Sequence, residues 1–198
     1  MALGGMSRID WVREQAFGRI LDIGCNDGVL FNDTALAPAV MGVDLDEWKP
    51  RYGLGFKQAD AAKLPFKDGE FHCAFLCEIL EHVPDPVAVI KEARRVVIGC
   101  VFFTVPYEYN WDDKYHPCMS LEDKMRADNV SYEQLMKGNT TSRDGCVSAI
   151  DDKEKPHLWH IRYYTPDTLC QDIEKAGFKY KLELIQYDGW SFMVGVYK

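Results

Sequence analysis

The ten residues RILDIGCNDG at positions 19–28 decide the fold class of this chain. A strand is predicted at Arg19 to Ile23 and ends in a glycine-containing turn, and a helical pattern is predicted from Gly28 to Ala35. Gly24 and Gly28 permit a sharp turn and a close approach of a ligand to the backbone. A strand, tight turn and helix in this order are typical of nucleotide sites at the carboxyl ends of strands in doubly wound sheets.

The same turn argues against a dinucleotide ligand. The dinucleotide pattern G-x-G-x-x-G has its second and third glycines replaced by Asn26 and Val29. Asn still adopts the left-handed conformation, so the turn itself is retained. Asp22 and Asp27 would repel a pyrophosphate and suit a ligand that carries a cation, such as an ammonium or a sulfonium. Taken alone, this motif leaves open a purely structural turn that binds nothing.

Two further predicted strands also end in a carboxylate. Asp44 ends the second strand, Ala39 to Asp44, at the distance from the glycine turn where a carboxylate binds a ribose diol, and Leu45 would then flank a base. Asp60 ends the third strand and is followed by Ala61. A carboxylate there suits an exocyclic amine such as that of adenine. Three carboxylates at three consecutive strand ends indicate a ligand more strongly than any one of them.

The rest of the chain continues the alternation of strands and helices, with one interruption. Further strands are predicted at 71–77 and 96–105, a leading helix at 7–17, helices starting at Asp85-Pro86 and Thr165-Pro166, and a final hairpin of 179–186 and 191–197. Residues 107–157 break the pattern and are polar and irregular. The economical interpretation is one domain, 1–198, with one insertion at about 107–157.

Composition limits the partners and the compartment. The formal net charge of −8 makes nucleic acid a poor partner. No apolar run approaches the roughly 20 residues that span a bilayer, so no membrane association is expected. The seven cysteines include no C-x-x-C pair, which favours reduced thiols and a cytoplasmic location.

Beyond these patterns, the chain resembles class I S-adenosylmethionine-dependent methyltransferases, of the small-molecule kind often called type 11. The matching stretches are RILDIGCNDG (19–28), GVDLDE (42–47), QADAAKLPFKDGEF (58–71), CEILEHVPDP (77–86) and RYYTPDTLCQDIEKAGF (162–178). The resemblance implies an α/β fold, a doubly wound, Rossmann-like sheet of seven mostly parallel strands with an antiparallel last strand and the insertion after strand five.

The resemblance also implies a cofactor site for S-adenosylmethionine, which becomes S-adenosylhomocysteine as product. Around the methionine part it places Asp22, Gly24, Cys25, Asn26 and Gly28. Asp44 would bind the ribose hydroxyls with Leu45 against adenine, and Asp60 and Ala61 would meet the adenine edge. Cys77 would offer its backbone near the amino-acid end.

Methyl transfer from a sulfonium is an in-line displacement with a neutral leaving group, so alignment suffices and no metal is required. A base is needed only if the acceptor loses a proton. His82 and His160 are the two candidate bases, and each has an alternative role in packing or capping. The insertion is expected to cover the substrate, with Tyr107, Tyr109 and Trp111 as candidate pocket residues; a surface loop or an oligomer contact is the alternative.

The sequence thus predicts methyl transfer to a small-molecule acceptor such as a sugar, lipid or quinone-like metabolite. Two alternatives remain at this point. One is a non-catalytic S-adenosylmethionine-binding protein that acts through a partner, and the other, disfavoured by Asn26 and Val29, is a nicotinamide-dependent oxidoreductase. The acceptor atom and the oligomeric state are not specified by the sequence.

Overall fold

The computed structural model describes residues 7–106, 162, 164, 166–178, 184–187 and 191–197. Seven strands form one sheet in the order β3-β2-β1-β4-β5-β7-β6. The strands are β1 (Ile20–Ile23), β2 (Val40–Asp44), β3 (Gly55–Gln58), β4 (Phe71–Cys77), β5 (Val97–Pro106), β6 (Leu184–Tyr187) and β7 (Ser191–Tyr197). β1 to β5 are parallel, and β7 runs antiparallel to both β5 and β6. This confirms the predicted fold class.

Helices cover both faces of the sheet, as the predicted doubly wound arrangement requires. α2 (Pro86–Val96) and α3 (Pro166–Lys175) bury side chains in the core that includes Leu21 and Ile23 of β1. α1 (Arg8–Gln15) places Trp11 and Val12 in the opposite core. There Phe75 of β4 and Phe102 of β5 stack with ring centroids 5.0 Å apart.

The described helix ends carry residues that commonly cap helices. Ser7 caps α1, its hydroxyl accepting from the amide of Asp10 at 3.2 Å. Asp85 caps α2 by accepting from the amide of Ala88 at 2.9 Å, and Pro86 occupies the first turn. Gly177, with φ of 88°, follows the end of α3. The start of α2 is fixed at the edge of the sheet where β1, β2 and β4 end.

The helix predicted from Gly28 to Ala35 is wrong. These residues form successive turns closed by bonds such as Phe31 N–H to Gly28 O and Thr34 N–H to Phe31 O, and the short 3₁₀ helix Ala37–Ala39 follows. Polar side chains compete with the helical backbone: Asn32 Nδ2 donates to Asp27 O at 2.6 Å, and Asp33 adopts φ of 59°.

Several predictions fall on residues outside the described ranges. These are the insertion at 107–157 with its proposed cover over the substrate, and the turn of the final hairpin. Within the described ranges, no helix is long and apolar enough to cross a membrane.

Candidate functional site

A cleft of about 540 Å³ opens at the carboxyl edge of the sheet, where β1, β2, β3 and β4 end. Its volume lies within the roughly 300–1,000 Å³ of small-molecule sites. One side, here called the turn half, follows the first three strands and comprises Gly24, Asn26, Val43, Asp44, Leu45 and Ala59–Ala62. The other side, the β4 half, comprises Glu78, Ile79, His82, Val83, Pro84, Asp85 and Val89.

The turn after β1 is held against β2 by its backbone. The amides of Gly24 and Cys25 both donate to the carbonyl of Val43, at 2.8 and 3.0 Å. Gly24 has φ of 74°, and a Cβ there would lie 2.9 Å from Cδ1 and 3.2 Å from Cβ of Ile79, so the backbone conformation and the close approach both favour glycine. Asn26 has φ of 47°, the left-handed conformation that the sequence predicted for it.

Asp44 connects this turn to the one after β2. Its Oδ2 accepts from the amide of Asn26 at 2.9 Å, and its Oδ1 accepts from the amide of Asp46 at 3.1 Å. A carboxylate oxygen accepts more than one hydrogen bond, so both oxygens can still receive a hydroxyl from a ligand. Two adjacent hydroxyls, as in a ribose, match such a fixed carboxylate.

The wall of the turn half combines an exposed apolar side chain with a second carboxylate. Leu45 is 51% exposed although it is large and apolar. Asp60 follows β3 and lines the cleft, and its Oδ1 accepts a hydrogen bond from the amide of Ala62 at 2.8 Å. An apolar surface beside a hydrogen-bond acceptor suits a heteroaromatic base with an amino group.

The β4 half contains two groups that can exchange protons. Glu78 and His82 both line the cleft, and His82 Nε2 lies 3.9 Å from Oε1 of the buried Glu81. Arg162 secures the rim, because its Nη2 donates to the carbonyls of Val83 and Pro84 at 2.8 and 2.9 Å. The predicted base His82 therefore lies in the cleft.

Four predicted cofactor residues lie outside the cleft lining: Asp22, Cys25, Gly28 and Cys77. Asp22 is 1% exposed, and its Oδ2 accepts from the hydroxyl of Tyr52 at 2.6 Å. Burial raises the pKa of Asp22 to about 7, the Tyr52 hydrogen bond opposes this, and the charge of Asp44 adds to it. Burial likewise raises the pKa of the Cys25 and Cys77 thiols. Their role in binding cofactor stays a prediction.

The other predicted site residues divide as follows. Gly24, Asn26, Asp44, Leu45, Asp60 and Ala61 come together in one cleft with His82. His160, Tyr107, Tyr109 and Trp111 lie outside the described residues. Sequence reasoning missed Glu78, although it directly follows β4 at the same edge as Asp44 and Asp60. Applying the strand-end argument to the fourth strand would have found it.

The charge of the cleft fits S-adenosylmethionine. Its lining contains the carboxylates Asp44, Asp60, Glu78 and Asp85, and among its described lining residues there is no Lys or Arg. A sulfonium and an ammonium are favoured beside carboxylates, whereas a pyrophosphate is not. Asp44 and Leu45 would hold the nucleoside part, and the backbone of Gly24 would lie against the amino-acid part.

Comparison with known proteins places the chain in a family. A family model described as a methyltransferase domain matches residues 9–183. The chain is 30% identical over 193 residues to the ubiquinone biosynthesis O-methyltransferase of Acinetobacter baylyi, an alignment that covers 88% of this chain and 70% of that protein. It spans about half the length, 49%, of other curated relatives that it matches, such as the enzyme of the same name from Aromatoleum aromaticum, at 33% identity.

Solved structures share the fold. A methyltransferase from Methanosarcina mazei superposes with a TM-score of 0.56 at 18% identity, covering 95% of this chain and 96% of that one. Magnesium protoporphyrin IX methyltransferase from Synechocystis, solved with bound S-adenosylmethionine, gives 0.52 at 12% identity, covering 96% and 76%. The family match, the sheet order and the acidic cleft agree: this chain belongs to the class I S-adenosylmethionine-dependent methyltransferases.

Proposed function

We propose that this chain transfers the methyl group of S-adenosylmethionine to an oxygen atom of a small hydroxylated molecule. The observation that carries the proposal is the cleft itself, whose turn half suits the cofactor and whose β4 half offers Glu78 and His82 beside it. The relatives named above as O-methyltransferases support oxygen as the acceptor atom. The match across residues 9–183 supports a single methyltransferase domain that includes the insertion.

The chemistry that the cofactor supplies is a methyl group activated by the positive sulfur. The residues of this chain hold the two reactants in line and exclude alternative orientations, which is the main source of rate in such a displacement. Asp44 holds the nucleoside end of the cofactor through its ribose hydroxyls, and the β4 half orients the acceptor. His82 and His160 stay candidate bases for an acceptor that must lose its proton.

The first test is cofactor binding. S-adenosylhomocysteine at about 100 times its dissociation constant stabilises a protein by about 2.7 kcal/mol, which corresponds to a rise in melting temperature of about 5–10 °C for a chain of this size. NADH, as the control, should give no rise. No rise with S-adenosylhomocysteine would contradict the cofactor assignment.

The second test is turnover. Methyl-labelled S-adenosylmethionine should label catechol, a simple dihydroxybenzene, in preference to an aliphatic amine and a thiol. Labelling of the amine or the thiol instead would contradict oxygen as the acceptor. Binding of S-adenosylhomocysteine without turnover of any acceptor would favour a non-catalytic cofactor-binding protein.

The thiols bear on the compartment. The five described cysteines are free, and Cys25, Cys73, Cys77 and Cys100 are buried. Buried free thiols support a reducing, cytoplasmic location. Fractionation of cells that express the chain checks this, and recovery from an oxidising compartment would contradict it.

A further inference from the structure

Glu78 has an unusual backbone for its residue type. It directly follows β4, has φ of 55° and lines the cleft. This left-handed conformation is uncommon for a residue with a long side chain. The amide of Glu78 donates to the carbonyl of Thr104 at 2.9 Å, so the conformation is fixed by β5. Uncommon conformations of this kind cluster at functional sites.

The carboxylate of Glu78 is anchored by side chains from two other elements. Thr104 Oγ1 of β5 donates to Oε1 at 2.8 Å, and Arg8 Nη1 of α1 lies 3.1 Å from the same oxygen. Thr104 is fully buried, so its hydroxyl has a fixed position. Within the described part of the chain, both contacts fall on Oε1. Neither contact uses Oε2, and Glu78 lines the cleft.

Arg8 places a positively charged group beside this carboxylate. Burial lowers the pKa of the Arg8 guanidinium, but the charges of Glu78, Cys77 and Glu81, together with the hydrogen bond to Glu78, outweigh this and raise it overall. The side chains of Arg8 and Glu78 are 28% and 25% exposed, so solvent only partly screens the pair. The cleft therefore contains a carboxyl group held in place by two side chains.

We infer that Glu78 binds the acceptor hydroxyl and takes its proton during methyl transfer, an inference that rests on the proposed function. The acceptor oxygen forms a bond to the methyl carbon as the carbon–sulfur bond breaks, and its electron pair stays on the neutral sulfur. The oxygen becomes strongly acidic as its new bond forms, so the proton passes to Oε2 of Glu78.

His82 is the alternative proton acceptor in the same half of the cleft. Its Nε2 lies 3.9 Å from Glu81 Oε1, and its side chain is 21% exposed. The two bases are distinguished by comparing Glu78→Gln with His82→Asn. Glu174→Gln makes the same chemical change on an exposed position of α3 away from the cleft and serves as the control.

The test uses catechol and nitrocatechol, which ionises at a much lower pH and enters the reaction already deprotonated. Loss of a general base typically costs 10²–10⁴-fold. For Glu78→Gln we expect kcat with catechol to fall about 100-fold or more, and kcat with nitrocatechol to fall less than about 10-fold. Affinity for S-adenosylhomocysteine should change less than about 2-fold. Glu174→Gln should match wild type throughout.

A binding measurement gives a readout independent of turnover. Calorimetric titration of catechol into the complex with S-adenosylhomocysteine should show weaker binding for Glu78→Gln than for wild type. A purely structural role would instead lower the melting temperature and weaken S-adenosylhomocysteine and catechol alike.

The outcomes separate this inference from the proposed function. If wild type methylates both acceptors and Glu78→Gln does so equally well, only the role of Glu78 is overturned. A selective loss with catechol in His82→Asn but not in Glu78→Gln would assign the proton to His82. If wild type binds S-adenosylhomocysteine but methylates neither acceptor, the proposal of an oxygen acceptor fails, and the role of Glu78 fails with it.

Discussion

The turn half of the cleft holds its carboxylates with backbone amides of the neighbouring turns, whereas the β4 half holds Glu78 with side chains from α1 and β5. Asp44 accepts from the amides of Asn26 and Asp46, and Asp60 accepts from the amide of Ala62. The Glu78 carboxylate instead accepts a hydrogen bond from the Thr104 hydroxyl and forms an ion pair with Arg8. The first half therefore depends on the local course of the chain, and the second depends on the packing of distant elements.

Because of this difference, we expect substitutions in the two halves of the cleft to affect different steps of the reaction. A change in the turn half should act on the cofactor, and a change among Glu78, Thr104 and Arg8 should act on the acceptor step. If contacts joined the two halves, a single substitution would change both the affinity for the cofactor and the acceptor step. The predictions at Asp44 and Thr104 test that separation directly, and those at Asp22 and at position 78 test the stability of each half.

The largest effect is expected beneath the turn half, at Asp22, and concerns stability against pH. The pKa of Asp22 is raised from 3.8 to about 7 in the folded state, so the unfolded chain releases this proton first as pH rises. The contribution of Asp22 to stability is present below about pH 4 and is lost progressively up to about pH 7. At about 1.4 kcal/mol per pH unit, the loss reaches about 4 kcal/mol. Urea unfolding of the cofactor-free protein at a series of pH values measures it.

Asp22→Asn should remove that pH dependence. Asp27→Asn changes an exposed carboxylate in the same turn and should retain it. The absolute stability of Asp22→Asn is not the readout, because the new amide adds donors to a buried position. An unchanged slope between pH 4 and 7 in Asp22→Asn would show that another group is responsible.

The second effect is expected at Asp44. Asp44→Asn removes the charge and one acceptor oxygen, and hydrogen bonds to charged groups contribute about 1.5–3 kcal/mol. Affinity for S-adenosylhomocysteine, measured by calorimetry, should fall about 10- to 100-fold. Glu47→Gln, an exposed carboxylate three positions along, should leave it unchanged. Equal weakening in both variants would mean that net charge, rather than contact, sets the affinity.

The two halves of the cleft also differ in how well the sequence predicts them, because one is held by neighbouring turns and the other by the packing of distant elements. Gly24, Asn26, Asp44 and Asp60 lie at strand ends, so a local pattern is enough to place them together. Glu78 also follows a strand end, so the same pattern reaches its position, but the contacts from Thr104 and Arg8 that hold its carboxylate form only when β4, β5 and α1 pack. No local spacing reports that contact.

Two further differences have local causes that periodicity alone does not capture. The helix predicted from Gly28 to Ala35 was replaced by turns, because the Asn32 side chain bonds to the backbone and Asp33 is left-handed. Leu21 and Ile23 face one core, so alternation along β1 turns Asp22 toward the opposite one, beside Tyr52. That Asp22 would be fully buried there depended on how the loop after β2 packs.

A third and smaller effect is expected at Thr104. Thr104→Val keeps the shape of the side chain and removes the hydroxyl that donates to Glu78. A single hydrogen bond to a charged group is worth about 1.5 kcal/mol at the low end, so kcat with catechol should fall about 10-fold. Thr104→Ser retains the hydroxyl and is the matched control. Weaker binding of S-adenosylhomocysteine in Thr104→Val but not in Thr104→Ser would contradict the separation of the halves.

The smallest effect concerns the left-handed backbone conformation, which each half of the cleft contains at one non-glycine position of its lining. In the turn half that position is Asn26, a residue type that tolerates it, while in the β4 half it is Glu78, which tolerates it poorly. Asn and Ala at position 78 both lack the carboxylate, so their difference reports mainly how well each residue tolerates this backbone conformation. The left-handed conformation costs ordinary residues about 1–2 kcal/mol, and Asn avoids part of this. Glu78→Asn should therefore be more stable than Glu78→Ala by about 0.5–1 kcal/mol, or about 1–4 °C in melting temperature.

Equal melting temperatures of the two variants would mean that the backbone relaxes once the carboxylate is gone. The expected difference would mean that Glu occupies a position whose backbone conformation is more favourable for Asn. That is the result expected if the carboxylate of Glu78 is needed for function.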